Sequence, residues 1–247
     1  MSTDSHNPAT LSSTFAELFS SGVVAAELRA PGDARLLLPA EVHSVAHAVP
    51  ERVQEFAAGR QCARRALAEF GLAQCPIPAA LDRQPVWPGF LVGSITHTTG
   101  LCAAVVAERT RMLALGLDSE VAGAVKQELW PSICTGAELH WLDALPREQR
   151  AAAATLIFSA KEAFYKCQYP LVGQRPNFQD VDVKPLAWGA QQGSFDLVPA
   201  RPLSVFELAP GGVRGTYRFH EQFISAGVFV AGPRINTPCR REISSRR

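Results

Sequence analysis

Two long segments with helical apolar periodicity, each followed by short strand-like segments, constrain the fold of this chain most. In the first, residues 51–70, apolar side chains recur at steps of three and four, and Gly71 follows as a typical C-terminal helix residue. The second, residues 146–169, is expected to end before Pro170, because proline disfavours helix at the residue that precedes it. Helix followed by strands, twice over, indicates an α+β fold.

The strand-like segments form one group after each helix. Those after the first helix are 91–98, 101–107 and 112–118, and those after the second are 180–186, 194–198, 203–208, 216–219 and 223–231. Side chains alternate along a strand with a period of two, so Asp118 and Glu120 share one face, opposite Leu115 and Leu117. The two carboxylates are therefore predicted to point the same way.

This order predicts two similar, pseudo-duplicated halves. Each would pack a long helix on a small, mostly antiparallel sheet, with the active site between the halves and the protein a monomer. Residues 23–120 would form the first half and residues 121–232 the second. The Ser/Thr-rich residues 1–22 are expected to be poorly ordered, and residues 233–247, with five arginines, to form a solvated basic tail.

Composition excludes several classes of protein. The 24 Lys and Arg residues nearly balance 23 Asp and Glu, and the net charge of +1 argues against a general nucleic-acid-binding protein. No apolar run approaches the length of a membrane span, and the polar first eight residues do not resemble a secretory signal. The six cysteines lack metal-finger spacing, so we expect reduced thiols in a cytoplasmic protein.

Three carboxylates are candidates for metal chemistry. Asp118 and Glu120 would repel each other unless a cation or protons neutralise them, and Mg²⁺ favours such oxygen ligands. The alternative is a solvated strand end. Glu162 stands one helical turn before Lys166, so it could also form a simple ion pair. A capping box starting at Ser159 is a further alternative, although the alanines upstream favour a continuous helix.

Two further residues are candidate anion ligands. Arg60 falls within the apolar stripe of the first helix, where a guanidinium is costly unless an anion meets it or its stem carries the charge out to water. His97 is flanked by hydroxyl side chains and could donate a ring N–H to phosphate, or be a satisfied core histidine. The sequence contains neither a P-loop nor a Rossmann glycine motif, which argues against those nucleotide sites.

Four segments, taken together and in this order, resemble the 4′-phosphopantetheinyl transferases of the surfactin- and enterobactin-synthase type. They are FAAGRQCAR at 56–64, GSITH at 93–97, LGLDSE at 115–120 and FSAKEAFYK at 158–166. The segments around Trp87 and after Tyr169 are similar to the enterobactin branch. The resemblance extends over residues 45–232.

The resemblance implies an activity and its partners. The activity is Mg²⁺-dependent transfer of the 4′-phosphopantetheine arm from coenzyme A to a serine hydroxyl of an apo acyl or peptidyl carrier protein, with release of 3′,5′-ADP. The pathway could be siderophore, polyketide or fatty-acid synthesis. The implied partners are coenzyme A and the carrier, with neither nucleic acid nor membrane.

The resemblance also implies roles for individual residues. Asp118, Glu120 and Glu162 would be the metal ligands, with Glu162 a ligand or the general base and Lys166 a second catalytic residue. The implied coenzyme A ligands are Arg52, Arg60, Arg83, Thr96, His97, Asp118, Lys161 and Lys166. In this assignment Arg52 and Arg60 meet the 3′-phosphate and the nucleotide end, whereas Thr96 and His97 meet the phosphates.

Two other functional classes remain open from the residues alone. Two acidic strand residues beside a Glu/Lys pair could also serve a Mg²⁺-dependent nuclease, although the near-zero net charge argues against a long nucleic-acid surface. A non-catalytic relative that only holds coenzyme A or a carrier is the second alternative. Cleavage of DNA would indicate the first, and tight coenzyme A binding without transfer the second.

Overall fold

The secondary structure follows the predicted order of helix and strands, repeated twice. The structure is a computed structural model that describes residues 8–209 and 211–232, so the prediction of a basic tail lies outside the described residues. The helices are α1 (Ser13–Ala16), α2 (Pro39–Val42), α3 (Pro50–Leu67), α4 (Trp130–Ile133), α5 (Gly136–Ala144), α6 (Arg147–Val172) and α7 (Ser204–Leu208). The strands are β1 (Thr10–Leu11), β2 (Val23–Leu28), β3 (Leu91–Thr98), β4 (Leu101–Glu108), β5 (Met112–Val121), β6 (Val181–Pro185), β7 (Gln192–Pro199), β8 (Val213–His220) and β9 (Phe223–Ala231).

The strands form two antiparallel sheets, each covered by one long helix. The first has the order β1-β2-β4-β3 and carries α3, and the second has the order β5-β9-β8-β7-β6 and carries α6. The predicted α+β fold with two halves of similar layout is confirmed. The predicted boundary at residue 120 is wrong, because β5 pairs with β9 and therefore belongs to the second sheet.

The N-terminal segment differs from the prediction. Of the residues expected to be poorly ordered, 10–16 form β1 and α1, and the side chains of Phe15, Leu18 and Phe19 are buried. They lie in an apolar cluster that also contains Leu115 and Leu117, the core-facing leucines of β5. The aromatic residues fill the space between the two sheets, and the hydrophobic contact outweighs the polar composition of the segment.

The second long helix is continuous, which decides one of the alternatives. Helix α6 passes through Ser159, so Glu162 is a mid-helix residue rather than part of a helix start. The prediction that this helix ends before Pro170 is wrong, because α6 includes Pro170, ends at Val172 and is capped by Gly173, which has a left-handed φ of 65°. Proline is tolerated there because it removes only one hydrogen bond in the last turn. The predicted strand at 203–208 is also wrong, since this short apolar run forms α7.

Gly116 determines how closely β5 approaches α6. A Cβ atom at this position would lie 1.9 Å from the backbone oxygen of Ala163, which is a severe overlap. The bare backbone of Gly116 therefore lets the strand and the helix touch. Asp118 lies two residues along the strand, and Glu162 directly precedes Ala163. This contact brings two of the predicted metal ligands to the same region.

Replacing Gly116 with alanine is expected to destabilise the protein by about 3 kcal/mol, because overpacking at a backbone contact forces β5 and α6 apart. Chemical denaturation with measurement of the unfolding midpoint tests this. Gly136→Ala is the matched control, because nothing lies within 4 Å of a Cβ at position 136. Equal midpoints for the two variants would contradict the close-approach role.

No helix among residues 8–209 and 211–232 combines the length and the apolar character that a membrane span requires.

Candidate active site

A cleft of about 540 Å³ lies where the two halves meet. Its walls come from α3, β3 and the 82–87 loop on one side, and from β5 and α6 on the other. Most residues selected from the sequence line this cleft: Arg52, Arg60, Arg83, His97, Asp118, Glu120, Glu162 and Lys166. Two of the selected residues, Thr96 and Lys161, have their polar atoms engaged elsewhere.

The three carboxylates face the cleft from β5 and α6. Asp118 is 5 % exposed, and its Oδ1 accepts a hydrogen bond of 2.7 Å from Lys166 Nζ. Its Oδ2 is buried and has no hydrogen-bond partner among the described residues. Burial and the charge of Asp118 raise the pKa of Glu120 to about 7, and burial raises the pKa of Glu162. The positive charge near Glu120 and Glu162 therefore does not fully offset the cost of burying their ionised forms.

Hydroxyl groups of β3 hold β5 in place where the two sheets meet. Thr96 is 1 % exposed. Its Oγ1 accepts a hydrogen bond from the backbone N–H of Ser119 at 3.0 Å and donates one to Asp118 Oδ1 at 3.4 Å. Thr98 Oγ1 donates to Glu120 Oε2 at 3.3 Å. The implied role of Thr96 as a phosphate ligand does not fit this geometry. Its side chain points between the sheets and orients Asp118.

Cationic groups line the wall of the cleft formed by α3 and β3. Arg52 Nη1 lies 3.0 Å from His97 Nε2 and 3.1 Å from Glu55, and both residues are partly exposed. The guanidinium of Arg60 lies 3.7 Å from the ring centre of Phe56, and its Nε donates to the Ile77 carbonyl at 2.7 Å.

Burial affects the two candidate anion ligands differently. Burial lowers the pKa of Arg60 to about 10, which still leaves this guanidinium charged at neutral pH. Arg60 is 6 % exposed, so its charge is not carried out to water. Its stacking on Phe56 and its bond to the Ile77 carbonyl hold the guanidinium in the wall of the cleft. Burial also lowers the pKa of His97. Because the Arg52 guanidinium can only donate to Nε2, a neutral His97 ring carries its one N–H on Nδ1.

Lys161 lies outside this set of cations. Its ammonium group is 3 % exposed and donates to Glu138 Oε2 at 2.7 Å, to the Phe178 carbonyl at 2.7 Å and to the Ile133 carbonyl at 2.9 Å. These three bonds use all three N–H donors, so none is left for a phosphate. The implied role of Lys161 as a coenzyme A ligand is therefore inconsistent with the structure. The residue ties α4 and α5 to α6.

Sequence reasoning missed one cation of the cleft. Arg109 lines the cleft from the β4–β5 turn and donates from Nε to the Gly89 carbonyl at 3.0 Å. It lies among other charged residues of an exposed turn, and nothing in the local sequence distinguishes it from a solvated side chain.

Aromatic side chains also line the cleft. Tyr165 and Tyr169 on α6 stack with ring centres 5.2 Å apart, and Trp87 faces the cleft from the 82–87 loop. The cleft therefore combines a charged region with an apolar one.

The donor set has the chemistry of a Mg²⁺ site, although it is not pre-arranged as one. Among the residues that the structure describes, no three His, Cys, Asp or Glu side chains are grouped tightly enough to hold a metal ion. Yet carboxylate oxygens are the ligands that Mg²⁺ prefers. The unpartnered Oδ2 of Asp118 and the raised pKa of Glu120 both indicate oxygens that a cation would satisfy. The residues present therefore fit a bound magnesium ion.

Comparison with known proteins is consistent with this site. Residues 40–107 match the 4′-phosphopantetheinyl transferase N-terminal domain, and residues 114–216 match the 4′-phosphopantetheinyl transferase superfamily. The chain is 35 % identical over 209 residues to 4′-phosphopantetheinyl transferase Svp of Streptomyces mobaraensis, covering 83 % of each chain. It is 36 % identical over 148 residues to enterobactin synthase component D of Escherichia coli K12, covering 59 % of this chain and 67 % of that protein.

Among solved structures, a holo-(acyl-carrier-protein) synthase from Bacillus anthracis in complex with coenzyme A is similar to this chain. The similarity has a TM-score of 0.38 and 18 % sequence identity, and covers 50 % of this chain and 99 % of that one.

A cleft between two α+β halves, with arginines on one wall and carboxylates with Lys166 on the other, has the charge pattern of a site for an anionic ligand. The extent of the similarity to Svp makes the assignment specific. The chain belongs to the 4′-phosphopantetheinyl transferase superfamily, whose members transfer phosphopantetheine from coenzyme A to carrier proteins.

Proposed function

We propose that this protein transfers the 4′-phosphopantetheine arm of coenzyme A to a serine of an apo acyl or peptidyl carrier protein in the cleft between its halves, in a Mg²⁺-dependent reaction. The observation that carries the proposal is the convergence of five cationic side chains and the three predicted metal-binding carboxylates on one cavity, which Asp82 also lines. They are Arg52, Arg60, Arg83, Arg109 and Lys166, with Asp118, Glu120 and Glu162. The cytoplasmic location and the monomeric state stay predictions.

The cations would bind the anionic parts of coenzyme A. Arg52 and Arg60 on α3 would hold the 3′-phosphate, and Lys166 and His97 would meet the pyrophosphate; all four side chains line the cleft. Phosphoryl transfer demands mainly positioning and neutralisation of charge. Donors that meet the charge developing on these oxygens stabilise the transition state by about 2–4 kcal/mol each.

Asp118, Glu120 and Glu162 would hold the magnesium ion. When bound, the ion would supply positive charge to the pyrophosphate oxygens and so stabilise the leaving group. Lys166 forms an ion pair with Asp118 at 2.7 Å, so its ammonium already lies beside these carboxylates. Within this arrangement Lys166 neutralises part of the acidic charge and fixes the orientation of Asp118.

Glu162 would accept the proton of the serine hydroxyl. The serine oxygen forms a bond to the phosphorus that carries the pantetheine arm, the pyrophosphate P–O bond breaks, and 3′,5′-ADP leaves with that oxygen. A carboxylate is a better base when its pKa is closer to the working pH, and burial raises the pKa of Glu162. The burial of Glu162 thus supports this role.

Mass spectrometry of a carrier protein tests the activity. Incubation of an apo carrier with coenzyme A, Mg²⁺ and this protein should add one phosphopantetheine group, and a carrier whose acceptor serine is replaced by alanine should gain nothing. No gain with several types of carrier would contradict the proposal. Tight coenzyme A binding without transfer would instead indicate the non-catalytic relative.

Arg52→Gln is expected to weaken coenzyme A binding about tenfold, because a hydrogen bond to a charged group contributes on the order of 1.5 kcal/mol. Binding of 3′-dephospho-coenzyme A should be nearly unchanged, because it lacks the group that Arg52 would contact. Calorimetry with both ligands makes the comparison. Arg65→Gln is the control, since Arg65 also lies on α3 but pairs with Glu69 outside the cleft. Equal weakening of both ligands by Arg52→Gln would exclude the 3′-phosphate role.

A further inference from the structure

A buried chain of polar side chains lies behind the carboxylates of β5. Ser119 and Ser225 are both 0 % exposed, and their hydroxyl oxygens are 2.6 Å apart across the β5–β9 ladder. The Ser225 hydroxyl also lies 2.7 Å from Nε2 of His220, the last residue of β8. The His220 ring packs edge-on against Phe15. Three polar groups thus hydrogen-bond to one another, with Ser119 and Ser225 fully buried and His220 partly buried.

We propose that Ser225 and His220 are positioning residues which, through Ser119, hold the carboxylates of Asp118 and Glu120 toward the cleft. This inference rests on the proposed function. Neither residue touches the cleft, so each acts through the backbone of β5. The Asp-x-Glu segment is then held from both sides, with Thr96 in front and the serine–histidine chain behind.

The pairing register explains why a hydrogen-bonded chain is needed at this point. Next to the Ser119–Ser225 pair in the β5–β9 ladder, Leu117 lies opposite Gly227 and Glu120 lies opposite Ile224. Gly227 has no side chain that could fix the register beside Leu117. A shift of one residue would turn the carboxylates into the core. A buried hydroxyl that loses its hydrogen-bond partner is destabilising, so the serine pair disfavours such a shift.

The hydrogen-bonded chain of Ser119, Ser225 and His220 also explains how individual side chains are oriented. In a neutral histidine, Nε2 can accept a hydrogen bond from the Ser225 hydroxyl, and Ser225 Oγ can then accept a hydrogen bond from the Ser119 hydroxyl. The hydroxyl of Ser119 is thereby fixed on the core side of β5, since side chains alternate along a strand. Asp118 and Glu120, its two chain neighbours, are held on the cleft side. Groups that hydrogen-bond directly to metal ligands typically change metal affinity by about 10–100-fold when they are removed, so we expect the lower end of this range for groups that act through the backbone of β5.

Titration of the protein with Mn²⁺ at saturating coenzyme A, followed by electron paramagnetic resonance of the free ion, tests the proposal. Ser225→Ala and His220→Leu should raise the Mn²⁺ dissociation constant about tenfold, with the KM for coenzyme A unchanged. His220→Gln, whose amide can reach the position of Nε2, should stay near wild type. Val230→Ala is the stability control, because Val230 is buried in β9 opposite Ala114, away from the polar chain.

The possible results separate this inference from the proposed function. Wild-type Mn²⁺ affinity in Ser225→Ala, or an equal loss in Val230→Ala, would overturn the positioning role. Absence of Mn²⁺ binding by the wild type would do the same. If the selective loss appears but the wild type transfers nothing to any carrier, the positioning role stands and the proposed function fails.

Discussion

Replacing Glu162 with glutamine is expected to lower the rate of transfer at saturating coenzyme A by about 10²–10⁴-fold, the range typical of a lost general base. Glutamine keeps the shape of the side chain but removes its charge and its basicity. Glu162 faces the cleft from the middle of α6, next to the ion pair of Lys166 and Asp118. Coenzyme A affinity should change little, because the cations of the cleft carry most of that binding.

Rapid kinetics with calorimetric binding on the same variant separates the possible roles of Glu162. A loss of turnover that high Mg²⁺ concentration does not restore indicates a base, whereas restoration by Mg²⁺ indicates a metal ligand. Glu148→Gln is the control, because Glu148 is an exposed acidic residue in the first turn of the same helix. Equal losses of coenzyme A affinity and of turnover in Glu162→Gln would show that the residue only contributes to binding.

Replacing Lys161 with methionine is expected to lower the free energy of unfolding by about 3–5 kcal/mol, because Glu138 would then be a buried carboxylate without its cation. Glu138 is 3 % exposed and also accepts from the backbone N–H groups of Val183 and Thr135, both at 2.7 Å. The pair therefore joins the start of α5, the strand β6 and the centre of α6. Removing the cation leaves these contacts around an uncompensated charge.

Urea denaturation with two reference variants tests the role of Lys161. Lys184→Met, at an exposed lysine of β6, should change stability by less than about 0.5 kcal/mol. The double variant Lys161→Met with Glu138→Leu should recover much of the loss, because it removes both charges. An unchanged unfolding midpoint in Lys161→Met, or a raised KM for coenzyme A in protein that stays folded, would favour the phosphate role that the family resemblance implies.

Local patterns predicted the elements that carry the site. The periodicity of α3 agrees with the prediction, and the left-handed Gly71 ends the 3₁₀ turn Ala68–Phe70 that continues from this helix. Helix α6 is continuous through the alanines and the Lys-Glu motif. Alternation along β5 placed Asp118 and Glu120 on one face, with Leu115 and Leu117 in the apolar cluster behind them. These features depend on neighbours within about one or two turns, which a sequence displays directly.

The errors arose where distant contacts overrode local preference. The run at 203–208 is too short for its period to distinguish helix from strand. The pairing of β5 with β9 spans more than a hundred residues of chain, and it moved β5 into the second sheet. Phe15 and its neighbours became ordered because they cover the junction between the sheets.

The sequence alone determined the family, the two-part layout and the inventory of charged groups, because each is recorded in residue type and short spacing. Only the tertiary structure decided where each charge points. Lys161 and Lys166 lie on the same helix five residues apart, yet one is buried against Glu138 and the other meets Asp118 in the cleft. The partner of a buried charge comes from another part of the chain, since desolvation must be offset by whichever groups the fold brings within reach.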